Sequence, residues 1–130
     1  MKPRILIVDD EIDHRELLAD FLSQRLAADV VTKADGGEAI KALDEGEFHV
    51  LLQDLQMPNI DGLTVINHAR KLYPKIIAVL MTRLSEPEKI SKAEALGALY
   101  IPKPFELRAI QRLLEKQLKE RFGFTLATQA

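Results

Sequence analysis

Cysteine is absent from the 130 residues of this chain, which excludes a disulfide framework and thiol chemistry and is compatible with a reducing compartment. An excess of charge of one sign is also missing. Eighteen Lys and Arg against 20 Asp and Glu leave a net charge of −2, so the chain carries no electrostatic footprint for nucleic acid or for an anionic membrane. No long hydrophobic run opens the chain: Met1-Lys2-Pro3-Arg4 is followed by only four apolar residues before Asp9, too few for a signal-peptide core or a membrane span. Internal repeats and low-complexity segments are lacking as well. These absences lead us to expect a soluble, cytoplasmic protein with no direct nucleic-acid or membrane partner.

What is present is an alternation of two hydrophobic periods. Ile5–Val8, Val30-Val31, Val50–Leu52, Ile76–Met81 and Ala98–Ile101 are short runs, apolar on both faces, as buried parallel strands are. Between them stand five helical patterns, built on Leu18 and Leu22, on Ala39 and Leu43, on Val65 and Ile66, on Ile90 and Ala93, and on Ile110, Leu114 and Leu118. Ser85-x-x-Glu88 reads as a capping box with Pro87 in the first turn, and Gly97 and Gly123 stand where helices should stop. Pro58 stiffens the stretch after Asp54, and Asp61-Gly62 reads as a reversal of the chain. Strict alternation of strand and helix predicts an α/β fold with right-handed crossovers, a doubly wound sheet of five parallel strands flanked by five helices. One domain is expected over residues 1–122, with 123–130 a tail or the start of a linker. A domain of this size buries roughly two-thirds of its unfolded surface, enough for a core without metal or disulfide staples.

Asp9, Asp10, Asp54, Thr82 and Lys103 each follow a strand-type run directly or within two residues. In an open parallel sheet such positions converge on one edge, where ligands bind. Three carboxylates in a small volume repel one another unless a cation neutralises them, so the group calls for a hard divalent ion such as Mg²⁺ and a positive side chain, which Lys103 supplies. Taken singly the residues have plainer uses, since Asp10 could serve as a helix N-cap and a strand-end Asp is usually structural.

Val8-Asp9-Asp10-Glu11, Asp54-Leu55-Gln56-Met57-Pro58 with Asp61-Gly62, Thr82 after an apolar strand and Tyr100-Ile101-Pro102-Lys103-Pro104-Phe105 together resemble the receiver domain of two-component response regulators. The similarity extends over residues 4–120. The resemblance implies a flavodoxin-like (βα)5 fold with strand order 2-1-3-4-5. It implies that Asp54 takes a phosphoryl group from a histidine kinase or phosphotransfer protein, that Asp10, Asp54 and the backbone carbonyl of Gln56 hold Mg²⁺, that Asp9 acts on the ion through water, and that Lys103 pairs with the phosphoryl oxygens. Thr82 and Tyr100 match the family's switch pair, and Lys103-Pro104 the position of a cis peptide. A homodimer through the fourth helix, fifth strand and fifth helix is a further implication. Such a domain is a signalling element that assists its own phosphorylation and dephosphorylation. Two rival readings are a receiver that docks without being phosphorylated and a Mg²⁺-dependent phosphatase. The intact cluster stands against the first; the second generally needs a further acid near the nucleophile, where Gln56 lies.

Three features depart from the family pattern. Arg83 follows Thr82 where a small residue is usual, and either covers the site or holds an anion, or else points to solvent. Gln56 sits where side chains can guide the hydrolytic water. The link Gly97-Ala98-Leu99-Tyr100 is one residue shorter than usual, which bears on the output face. His14, His49 and His68 show no metal-ligand spacing and are read as surface or satisfied residues. Arg108, Arg112 and Lys116 repeat at i, i+4 along the last helix and are read as a solvated face.

Overall fold

The computed structural model describes residues 2–57, 59–83 and 86–125, and its elements alternate as the two hydrophobic periods require. The order is β1 (Arg4–Val8), α1 (Ile12–Arg25), β2 (Asp29–Lys33), α2 (Gly36–Glu45), β3 (Val50–Asp54), α3 (Gly62–Leu72), β4 (Ile77–Thr82), α4 (Pro87–Ala95), β5 (Leu99–Pro102) and α5 (Leu107–Phe122). The five strands form one parallel sheet in the order β2-β1-β3-β4-β5. Each inner strand is apolar on both sides because each face is covered. Ile5, Ile7, Leu52, Val79 and Met81 pack under α1 and α5 with Leu18, Leu22, Ile110 and Leu114. Leu6, Val8, Leu51, Ala78 and Leu80 pack under α2, α3 and α4 with Leu43, Val65, Ile66 and Ala93. Burying these side chains supplies most of the driving force, about 1.5–3 kcal/mol for each large aliphatic.

Several expected boundaries move. β3 and β4 run on to include Asp54 and Thr82, so both polar residues hold strand backbone rather than following it. Asp61 does not reverse the chain: it is the N-cap of α3, accepting the Thr64 N–H at 2.9 Å, and Gly62 opens the helix. A Cβ on Gly62 would lie 2.6 Å from the Asp54 carbonyl, so only glycine lets α3 start this close to the end of β3. Pro87 opens α4 behind the N-cap Glu86, while Ser85 and Pro58, on which the capping box and the stiffened loop rest, lie outside the described residues. Gly97 follows α4 at φ +83° and Gly123 ends α5 at φ +71°, as expected of helix-terminating glycines. Beyond Gly123 the chain folds back, and buried Phe124 meets His49 and Phe122 edge to face. Among the described residues, no helix is long and apolar enough to cross a membrane.

Candidate functional site

β1 and β4 both pair with β3, so Asp9, Asp54 and Thr82 arrive side by side at the carboxyl edge of the sheet. The fifth strand delivers the cation. Thr82 stands opposite Pro102 in register, and the Lys103 N–H donates to the Thr82 carbonyl at 2.8 Å, which tethers Lys103 to the end of β4. The Lys103-Pro104 bond is cis.

One carboxylate oxygen each from Asp9, Asp10 and Asp54 lies within 4.8 Å of the others. Asp9 and Asp54 are buried and Asp10 is exposed. Lys103 Nζ, on a side chain only 4% exposed, donates to Asp9 Oδ2 at 3.0 Å and to Asp54 Oδ2 at 3.2 Å. One ammonium among three carboxylates leaves negative charge uncompensated, which is the condition a hard divalent cation meets. Asp10 is available to such an ion. Glu11, not Asp10, is the N-cap of α1, and it makes no side-chain cap bond, so the helix-cap reading of Asp10 does not hold. Three oxygen donors with a solvent-open side fit Mg²⁺.

The two buried acids differ. Burial pushes the Asp9 carboxyl toward protonation, but hydrogen bonds from His14, the Glu11 N–H and Lys103 outweigh it and hold the group well below the usual carboxylate range. Burial also raises the Asp54 pKa, and there Lys103 and the Gln56 N–H, at 3.1 Å from Oδ1, do not compensate for it and for the neighbouring Asp9 charge. Asp54 is therefore the more basic and the less engaged of the two.

Around the mouth, two polar bridges join loops. Arg83 is exposed and its guanidinium pairs with Glu11 at 3.2 Å, linking the β4–α4 and β1–α1 loops, so it is held by Glu11 rather than by the acidic cluster. Gln56 Nε2 donates to Glu86 Oε2 at 2.7 Å. Thr82 is fully buried, and partly buried Tyr100 packs on the α3 and α4 side of the sheet in the layer that holds Ile90 and Leu96.

His49 and His68 are satisfied away from this edge, by the Arg4 N–H and by Asp44. His14 is satisfied too, but by Asp9 itself, so it belongs to the site. Helical side chains lean toward the helix N-terminus, and a residue in the first turn of α1 can therefore reach back to a strand end. That lean, with the five-residue spacing from Asp9, is the signal of it in the sequence.

Residues 5–115 match the family model described as the response regulator receiver domain. The chain belongs to that family. The curated Transcriptional regulatory protein ZraR of Escherichia coli (strain K12) is 32% identical over 127 residues, which are 97% of this chain and 29% of ZraR. The receiver chain thus spans less than a third of that relative's length. Among solved structures, the chemotaxis protein CheY4 of Vibrio cholerae superposes with a TM-score of 0.81 at 29% identity, over 91% of this chain and 100% of that one. NtrX from Brucella abortus gives a TM-score of 0.83 at 27% identity, over 93% of this chain and 28% of that one. The doubly wound fold expected from the strand pattern is thereby shared with response regulators of two-component systems.

Proposed function

We propose that this receiver domain takes a phosphoryl group on Asp54 from the phosphohistidine of a kinase or phosphotransfer protein. The observation that carries the reading is the asymmetry of the two buried acids. Asp9 is saturated with donors, while Asp54 keeps a more basic carboxylate at the end of β3. In the transfer an Asp54 oxygen attacks phosphorus, the bond to the donor imidazole nitrogen breaks, and the imidazole keeps the electron pair. Asp9, Asp10, Asp54 and the Gln56 backbone carbonyl would hold Mg²⁺, which supplies charge neutralisation for the transferring oxygens. Lys103 pairs with the phosphoryl group and already touches Asp54. Asp9 keeps the ammonium at the site.

The phosphoryl group of the product carries about 1.5–2 negative charges in place of the single charge of the Asp54 carboxylate, and it brings new acceptor oxygens to the edge where Thr82 ends β4. The Thr82 hydroxyl moves toward them and Tyr100 follows into the vacated space, which shifts the α4, β5 and α5 face toward its partner-binding state. Couplings of this kind are about 1–3 kcal/mol. That face is also the proposed homodimer surface. The kinase side has a candidate contact in Ile12 and Leu17, large apolar residues left exposed on α1, the helix that follows Asp9 and Asp10.

Acetyl phosphate with Mg²⁺ tests the assignment. Wild-type protein should gain one hydroxylamine-labile phosphate that Asp54→Asn lacks; retention of label by Asp54→Asn would refute it. Asp10→Asn should weaken Mg²⁺ binding about tenfold in a direct titration, because one of three carboxylates is lost from the ion.

A further inference from the structure

His14 has no role in the transfer as described, yet it touches one of its principal groups. Every polar atom of Asp9 is engaged: the N–H donates to the Lys33 carbonyl, the carbonyl accepts from Arg15 Nη1 at 2.8 Å, Oδ1 accepts from the Glu11 N–H at 2.9 Å, and Oδ2 accepts from both His14 Nδ1 and Lys103 Nζ. A carboxylate bears no proton, so Nδ1 must be the donor. The ring is set for this from behind by Phe105, two residues after Lys103, whose ring meets it edge to face with centroids 5.7 Å apart.

Two donors share Asp9 Oδ2, and one of them, Lys103, is also the donor to Asp54 Oδ2. Asp9 and Asp54 therefore draw on the same ammonium, and His14 supplies Asp9 independently of it. We propose that His14 is a positioning residue: by satisfying Asp9 Oδ2 it frees Lys103 to leave Asp9 for the phosphoryl oxygens on Asp54. This rests on Asp54 being the phosphoacceptor. Without the imidazole, Lys103 is the last side-chain donor to a buried carboxylate, and Asp9 holds it back.

His14→Leu and His14→Asn in the whole chain test the proposal, since the Asn amide reaches where Nδ1 donates and Leu cannot donate. With acetyl phosphate and Mg²⁺, the labelling rate of His14→Leu should fall about tenfold, the effect of one lost hydrogen bond to a charged group, and that of His14→Asn should stay within about threefold of wild type. Mg²⁺ affinity, read by amide shifts without phosphodonor, should stay within about threefold in both, because the Glu11 N–H and Arg15 still place Asp9. An undiminished rate in His14→Leu overturns the proposal. Equal slowing in both variants does so too, since it assigns the effect to ring volume against Phe105. Loss of Mg²⁺ binding in His14→Leu overturns it by showing that Asp9 itself has moved. If wild-type protein takes no label at all, the phosphoacceptor reading fails and the proposal falls with it.

Discussion

The two edges of the sheet use polar side chains in opposite ways. At the amino edge, side chains serve the backbone: Arg70 donates to the carbonyls of Leu96, Pro74 and Ile76, Arg121 to that of Ile76, and the Tyr73 hydroxyl lies at 2.6 and 2.8 Å from those of Leu43 and Gly46. Carbonyls left over where helices end and strands begin would otherwise be buried without partners. At the carboxyl edge, side chains face one another. Asp9, Asp54, Lys103 and His14 pair among themselves, and net negative charge is left on carboxylates of which two are buried. One edge holds the strands in place. The other stores an electrostatic imbalance, which the proposed cation and phosphoryl group would resolve.

The sharpest way to break this contrast is to remove the Lys103 ammonium from the carboxyl edge. Lys103→Met deprives two buried carboxylates of their shared ammonium and should cost about 2–3 kcal/mol in urea unfolding without metal, part of which Mg²⁺ restores. An equal loss with and without Mg²⁺ would mean that Lys103 acts through packing alone.

At the other edge, Arg70→Ala should cost about 2 kcal/mol through orphaned carbonyls, with labelling by acetyl phosphate unchanged within about twofold. A large change in labelling would show that the edges are not separate.

A smaller effect sharpens the comparison by sign. The folded-state pKa of Asp54 is raised, so in the metal-free protein its ionisation opposes folding at neutral pH, and that opposition disappears below its unfolded value of 3.8. Asp54→Asn should therefore be more stable than wild type at pH 7 without Mg²⁺, and the advantage should shrink as the pH is lowered toward about 4. Asp9 has the reverse sign, contributing stability above 3.8 that is lost as its carboxylate is protonated at lower pH. Parallel melting curves carried from pH 7 to well below pH 3.8 check both.

The smallest effect belongs to Arg83. Its exposed pairing with Glu11 is worth little, and Arg83→Ala should alter both labelling and dephosphorylation by no more than about twofold. A larger acceleration of both would show that the guanidinium shields Asp54 after all.

Much of the site is legible in the order of residues. Asp9, Asp10, Asp54, Thr82 and Lys103 stand out because parallel strands all end at one edge, and a run of four apolar residues followed by an acid says where that edge is. Local features are harder to read. Asp10 and Glu11 compete for one cap, and Asp61-Gly62 suits a turn or a helix start equally well, since both use an Asx side chain on a nearby N–H. Arg83 has two readings in the sequence because a long flexible side chain takes its direction from whatever lies across the mouth, here Glu11 from another loop.

By itself, then, the order of apolar and polar residues determined the five strands, the five helices, the parallel sheet and the edge at which chemistry would gather, because these follow from periodicity and from the handedness of the crossovers. Tertiary structure alone decided which of two buried carboxylates is saturated and that Arg70 and Arg121 converge on one carbonyl. Each depends on the distance between side chains far apart in the chain or on neighbouring elements. Periodicity encodes faces and edges, and hydrogen bonds are made over a few ångströms that no pattern in one dimension specifies.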